Sequence, residues 1–149
     1  MFEQFGRISF THHTKVEKFV RHLEDGWLMV SVCKGCGRRS FPPRADCPAC
    51  CSGDFSYVAS SKRGKVLSFT RIHAVPAGFE GQEPYLLAVV ELDDGGRLLA
   101  PVAAGTDEAE IEVDARVQVA IRRLQAADGG GETSKVVYEV EAITTRESD

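Results

Sequence analysis

Two cysteine pairs, Cys33-Lys34-Gly35-Cys36 and Cys47-Pro48-Ala49-Cys50, stand ten residues apart, and they constrain what this chain can fold into more than any other feature. Four thiolates on two tight turns form a tetrahedral sulfur cage suited to zinc. Two residues between the cysteines of a pair let turn N–H groups point at the sulfurs, and Gly37 supplies a permissive backbone for the exit from the first turn. The spacing therefore predicts a zinc ribbon. Four protein ligands leave no open position, so the metal is expected to hold the fold and not to act as a catalyst.

Two disulfides are the competing use of these cysteines, and iron in a rubredoxin-like carrier is the competing metal. Residues 1–7 carry no basic cluster followed by an apolar run, and no stretch approaches the roughly 20 apolar residues of a membrane span. A cytoplasmic chain is expected, in which thiols stay reduced and paired cysteines favour metal. Cys51 stands beside Cys50, where a ribbon turn usually has glycine; it is a second candidate for the fourth ligand, and the two-residue spacing favours Cys50.

The chain has 149 residues, 43% of them hydrophobic, which is enough for a real core. Its net charge of -4 is unevenly spread. Seven basic residues (Lys34, Arg38, Arg39, Arg44, Lys62, Arg63, Lys65) face two acidic ones between Cys33 and Lys65, whereas eleven acidic and five basic residues follow from Gly105 onward. The ribbon is thus a positive patch on an acidic protein, suited to a phosphate-bearing ligand, to an acidic partner surface, or to plain solvent.

Thr14 and Glu17 form a capping box, and Val16, Phe19, Val20 and Leu23 repeat at the spacing of one helical face before Gly26. An amphipathic helix of about three turns is expected, one that either folds back or docks on another chain. Phe2, Phe5, Ile8 and Phe10 add apolar weight ahead of it, and His12, His13 and His22 read as surface residues. Trp27–Val32 predicts a short strand into the first cysteine turn, and Phe41-Pro42-Pro43-Arg44 an extended link to the second. Beyond residue 57 the pattern predicts five strands, at 66–72, 85–92, 97–102, 116–122 and 135–143. A hairpin falls at Asp93-Asp94-Gly95-Gly96 and a glycine-rich loop at 128–131. Five short strands at this spacing suggest an OB-fold, and the long segment from His73 to Pro84 would border its binding face. The chain is accordingly mainly β. It divides into an N-terminal helical segment over 1–26, a zinc ribbon over 27–56 and a five-stranded OB barrel over 57–149.

Several strings together resemble one family, the acyl-CoA-associated zinc-ribbon/OB-fold proteins. They are Cys33-x-x-Cys36, Phe41-Pro42-Pro43-Arg44 before Cys47-Pro48-x-Cys50, Gly64-Lys65-Val66 with Ser68-Phe69-Thr70, and Pro84-Tyr85. The resemblance covers nearly the whole chain. Two departures stand out: Asp114-Ala115 replaces a glycine before the fourth barrel strand, and Val140-Glu141-Ala142-Ile143 replaces a Phe-x-Pro ending. The resemblance implies a non-catalytic accessory subunit in a hetero-oligomer with a thiolase-family catalytic subunit. It also implies structural Zn, a CoA thioester as ligand of the complex, and thiolytic cleavage of a 3-oxoacyl-CoA such as benzoylsuccinyl-CoA.

The residues point the same way. Acyl transfer needs an activated nucleophile beside a base. Four cysteines are committed to the cage, Cys51 sits beside it, and none lies in a glycine-rich nucleophile turn or at a helix start of the kind that activates a catalytic thiol. His73 is a single histidine with no nucleophile paired to it. The alternative is a free-standing ribbon/OB binding module for nucleic acid or another ligand; single-strand binders present aromatics for base stacking, whereas these strands carry mostly aliphatic and acidic residues. No nucleic-acid or membrane partner is expected. Candidate contacts to CoA or to the partner enzyme are Arg39 and Arg44, which offer forked donors, with His73 and Phe79 on the long loop.

Overall fold

A computed structural model describes residues 14–77, 80, 81, 84–124 and 135–143. Phe2, Phe5, Ile8, Phe10, His12, His13, Phe79 and the 128–131 loop lie outside the described residues.

The helix α1 spans Glu17–Glu24 and is two turns long, shorter than the apolar periodicity suggests. Its N-cap is Val16, so the Thr14/Glu17 capping box does not form; Thr14 Oγ1 instead accepts from Val16 N at 3.4 Å. At the other end Gly26 takes φ +83°, Gly26 N donates to Leu23 O (2.9 Å) and Trp27 N to His22 O (2.8 Å). That pair of bonds is a Schellman cap, which satisfies carbonyls the helix would otherwise leave open. The apolar stripe folds back: Phe19, Val20 and Leu23 are buried within the chain.

Three strands make the ribbon sheet, β1 (Met29–Cys33), β2 (Arg39–Ser40) and β3 (Phe55–Ala59), in the order β2-β1-β3 and all antiparallel. β3 pairs with β1 along its whole length, Met29 opposite Ala59 and Cys33 opposite Phe55. The barrel follows with β4 (Arg63–Ile72), β5 (Tyr85–Leu92), β6 (Arg97–Pro101), β7 (Arg116–Leu124) and β8 (Lys135–Ala142). Their order is β6-β5-β4-β7-β8, the connectivity of a five-stranded OB-fold. The sheet is open along most of its edges, and Val102, the residue after β6, makes an isolated parallel bridge to Val140 of β8.

β5 alternates strictly between half-buried and buried residues, and Leu86, Ala88, Val90 and Leu92 enter the core. β4 crosses tightly over β5. A Cβ at Gly64 would lie 2.7 Å from Val90 Cγ1 and would also collide with Glu91 O, so only glycine allows the strands this approach. A bulge between Val66 and Ser68 then turns the rest of β4. The residue that stands in place of the family's glycine before β7, Asp114, adopts φ 68°, and its N–H donates to Val66 O at 2.8 Å. Aspartate is among the few residues that tolerate this region.

One apolar cluster runs through the molecule. It joins Phe19, Val20 and Leu23 of α1 and Leu28 and Phe41 of the ribbon to Val66, Leu86, Val90, Leu98, Val117, Val119, Val136 and Val140 of the barrel.

Candidate metal centre and the surfaces around it

The two cysteine turns are built alike. Gly37 N donates to Cys33 O at 2.8 Å in the first, and Cys51 N to Cys47 O at 2.9 Å in the second. Cys33 N donates to Arg38 O and Cys47 N to Ser52 O, each at 2.9 Å, which closes both turns in the same way. Gly37 has φ 73° and Cys51 φ 58°. Cys51 thus occupies the left-handed position that glycine fills in the first turn, and a side chain there is strained. Nothing in the structure explains why a cysteine stands at this backbone position. It is exposed and stands outside the four-sulfur group.

The turns bring Cys33, Cys36, Cys47 and Cys50 together, with their sulfurs all within 4.8 Å of one another. Cys33 and Cys50 Sγ are 3.5 Å apart, and Cys36 and Cys47 Sγ 3.6 Å. A tetrahedral zinc thiolate with bonds of 2.3 Å has sulfur–sulfur edges of about 3.8 Å, so the donor set fits. One cysteine of each pair is buried (Cys33, Cys47) and one exposed (Cys36, Cys50).

Backbone N–H groups prepare two sulfurs for ionisation. Those of Ala49 and Cys50 hold the Cys47 thiol down to about 6. Burial pushes Cys33 upward, but N–H groups of Cys36 and Gly35 and the Cys50 side chain outweigh it and leave it below its ordinary value. Cys36 and Cys50 go the other way. The Ser52 N–H favours the Cys50 thiolate, yet its sulfur neighbours, Cys33 first, push it up to about 12. The Arg38 N–H likewise favours the Cys36 thiolate, and Cys47 is foremost among the groups that raise it. Four adjacent thiolates repel one another, and a divalent cation removes that repulsion.

The ribbon meets the barrel at the β5–β6 hairpin. Arg39 Nη1 donates to Asp94 O at 3.1 Å, and the Asp94 carboxylate accepts from Ser60 Oγ (2.6 Å), Ser61 N (2.6 Å) and Ser61 Oγ (3.0 Å). Burial raises the Asp94 pKa, but these donors outweigh it and hold the carboxyl below its usual range. Gly96, at φ +99°, lies so close under Phe41 that a Cβ there would be 2.7 Å from Phe41 Cβ and 3.0 Å from Phe41 N. Behind Phe41 its ring packs edge-on against Phe19 (centroids 5.7 Å apart) and Tyr138 (5.9 Å).

The positive patch is partly internally paired. Lys34 faces Asp54 at 3.0 Å, Lys65 faces Glu91 and Asp114, and Lys62 Nζ donates to Gly26 O at 2.7 Å. Arg44 is exposed on the link between the cysteine turns, with no hydrogen-bond or ion-pair partner among the described residues. His73 is exposed beyond the far end of β4. Gly64, near the ribbon end of that strand, pairs with Leu92, while Ile72 pairs with Tyr85. At about 3.3 Å per residue, His73 therefore stands roughly 25–30 Å along the barrel from the Arg39 side. Arg39 and Arg44 share the ribbon, and His73 belongs to the opposite end. Two clefts meet at that end: one of about 530 Å³ lined by Tyr85, Leu86, Val102 and Glu139, and one lined by Phe69, Arg71 and Ile111, with Leu86 and Glu108 common to both. The sequence offered no signal for either, because each depends on which strand ends converge. Among the described residues, no helix is long and apolar enough to cross a membrane.

A four-thiolate ribbon packed on an OB barrel defines the class of this protein. The model of the ChsH2 rubredoxin-like zinc ribbon domain matches residues 22–56, and that of the ChsH2 C-terminal OB-fold domain matches residues 57–122. A DUF35 domain-containing scaffold protein of Methanocaldococcus jannaschii is 32% identical over 107 residues, which cover 70% of this chain and 75% of that one. The chain belongs to this DUF35 family of zinc-ribbon/OB-fold proteins. It is also similar to the benzoylsuccinyl-CoA thiolase subunit BbsA of Thauera aromatica, 33% identical over 57% of this chain and 59% of that one. A chain in the solved structure of the Ltp2-ChsH2(DUF35) aldolase superposes with a TM-score of 0.66 at 26% identity, covering 88% of this chain and 98% of that chain.

Proposed function

We propose that this chain is a zinc-holding, non-catalytic subunit of a hetero-oligomer whose catalytic partner acts on a CoA thioester. The observation that carries the reading is the pair of similarities to proteins that work in such company. One is a relative named as a thiolase subunit, and the other is a chain of an aldolase complex matched over most of this chain. The cage of Cys33, Cys36, Cys47 and Cys50 suits this role. A zinc ion held there has four protein ligands, and it contributes folding free energy to the two cysteine turns.

More narrowly, the catalytic partner is a thiolase-type enzyme and the reaction is thiolytic cleavage of a 3-oxoacyl-CoA such as benzoylsuccinyl-CoA. Support comes from the BbsA similarity, which spans little more than half of each chain. Arg44 is the ribbon residue best suited to meet a CoA phosphate or an acidic surface of the partner, because its guanidinium is exposed and uncommitted among the described residues. Arg39 is tied to Asp94 O, His73 would serve at the opposite end of the barrel, and Phe79 lies outside the described residues.

Affinity capture of the tagged chain from its source cells, followed by identification of stoichiometric partners, tests the reading. A thiolase-family chain that co-elutes and gains CoA-dependent cleavage of 3-oxoacyl-CoA on reconstitution is the expected result. A chain that elutes alone, or with an unrelated partner, overturns it. In the reconstituted complex, Arg44→Ala with a raised KM and intact assembly indicates a phosphate contact; weakened assembly indicates a protein contact.

A further inference from the structure

Phe41 belongs to the ribbon by sequence and to the barrel by packing. It follows Ser40, the last residue of a two-residue strand, and only four residues separate it from Cys36 and five from Cys47. Its side chain is nonetheless 7% exposed, and its ring stands edge-on to Phe19 of α1 and to Tyr138 of β8. Phe19 and Tyr138 also meet directly, with centroids 6.5 Å apart, so three rings from three parts of the chain close a triangle. Tyr138 is partly buried at the edge of the core, and that burial pushes its phenol up to about 12.

What fixes Phe41 in that triangle is short. β2 is attached to β1 by the Ser31–Ser40 and Val32–Arg39 pairs, with Ser31 Oγ donating to Ser40 O at 3.0 Å. On both sides the chain runs directly into a cysteine turn. Ordering a residue's backbone costs about 1–2 kcal/mol, and the turns between Cys33 and Cys50 bury few side chains besides thiols to offset it. The barrel holds the Arg39–Phe41 segment from one side, through Asp94 O on Arg39 and Gly96 under Phe41, and the metal would hold it from the other through both cysteine turns. α1 depends on this segment in turn. The helix is two turns long, too short to be stable alone, and its buried face rests on Phe41, Tyr138 and the surrounding core.

We propose that metal occupancy of the ribbon controls whether α1 is docked on the barrel. Loss of the ion frees the Arg39–Phe41 segment, opens the Phe19/Phe41/Tyr138 triangle and releases α1. The barrel then presents the apolar surface around Tyr138 that the helix had covered, while the β4–β5 ladder remains paired. This rests on the metal reading above.

Hydrogen exchange with mass spectrometry on the full chain tests it, with metal content and free thiols measured on the same samples. The expected result on chelation is release of four thiols and loss of most of the protection of the α1 amides, with those of β4 and β5 still protected. Phe41→Ala supplies an arm in which the metal stays: it should hold its zinc and still lose most of the α1 protection. Four released thiols with α1 protected as before would overturn the gate and leave the zinc assignment standing. Phe41→Ala with full α1 protection would also overturn it, and a chain that holds no metal would overturn both readings.

Discussion

Replacing Gly96 with alanine should cost more than any other single methyl group added at the ribbon–barrel junction. Two penalties coincide there. The residue sits at φ +99°, and an L side chain in left-handed backbone costs about 1–2 kcal/mol. The new Cβ would also lie 2.7 Å from Phe41 Cβ and 3.0 Å from Phe41 N. These atoms are backbone and the root of a buried ring, so they cannot swing aside as the end of a flexible chain would, and overpacking of this kind costs about 1–3 kcal/mol. Against this, alanine narrows the unfolded ensemble by about 0.5–1 kcal/mol relative to glycine. The balance is a loss of about 1–4.5 kcal/mol, or a fall in Tm of about 2–18 °C at roughly 2–4 °C per kcal/mol for a chain of this size. Gly26→Ala separates the two causes: Gly26 has φ +83° and nothing within 4 Å of a Cβ, so only backbone strain remains. Scanning calorimetry of the two zinc-loaded variants and the parent measures the difference. If Gly96→Ala melts no lower than Gly26→Ala, the hairpin does not press on Phe41 and the account of the junction is wrong.

Cys36→Ser should lose zinc by elemental analysis and destabilise the ribbon, whereas Cys51→Ser should keep full occupancy; full zinc in Cys36→Ser would remove Cys36 from the cage. Cys51→Gly should hold stability or raise it by up to about 1 kcal/mol in denaturant melts, because it relieves a left-handed side chain; a marked loss would mean that the thiol has a role of its own. Asp94→Asn should lower Tm at neutral pH. The folded pKa of Asp94 is depressed, so its contribution is complete above the unfolded value of about 3.9 and is lost as pH falls through the folded value. The gap in Tm between Asp94→Asn and the parent should therefore close in acid, and a gap that stays constant to pH 3 would refute the assignment.

The strands of the barrel were readable because they are short apolar or alternating runs set between turn residues; 85–92 emerges with the same limits in the structure, and 97–101 and 116–124 within two residues. The cage was readable because ligand spacing is itself the geometry. β3 was not, since Phe55-Ser56-Tyr57-Val58-Ala59 buries no face fully and owes its strand form to pairing with β1. The apolar stripe of α1 was plain, but its destination lay in Phe41 and Tyr138, which no local pattern connects to it. The capping box failed for a related reason: the chain enters the helix late, and Thr14 spends its oxygen on Val16. The separation of His73 from Arg39 follows from strand direction, which becomes visible only once the register of β4 against β5 is known.

The seam between the two matched family domains, at residues 56 and 57, falls inside β3. A chain severed there would leave Phe55 and Ser56 with the ribbon and strip Tyr57, Val58 and Ala59 from the partner strand they pair with. It would also split the apolar cluster, since Leu28 and Phe41 would leave on one fragment and Val66, Leu98 and Val140 on the other. The barrel is therefore not a cassette that can be moved alone. Grafts between relatives should exchange the ribbon and the β5–β6 hairpin together, because Arg39 and Phe41 on one side are matched to Asp94 and Gly96 on the other.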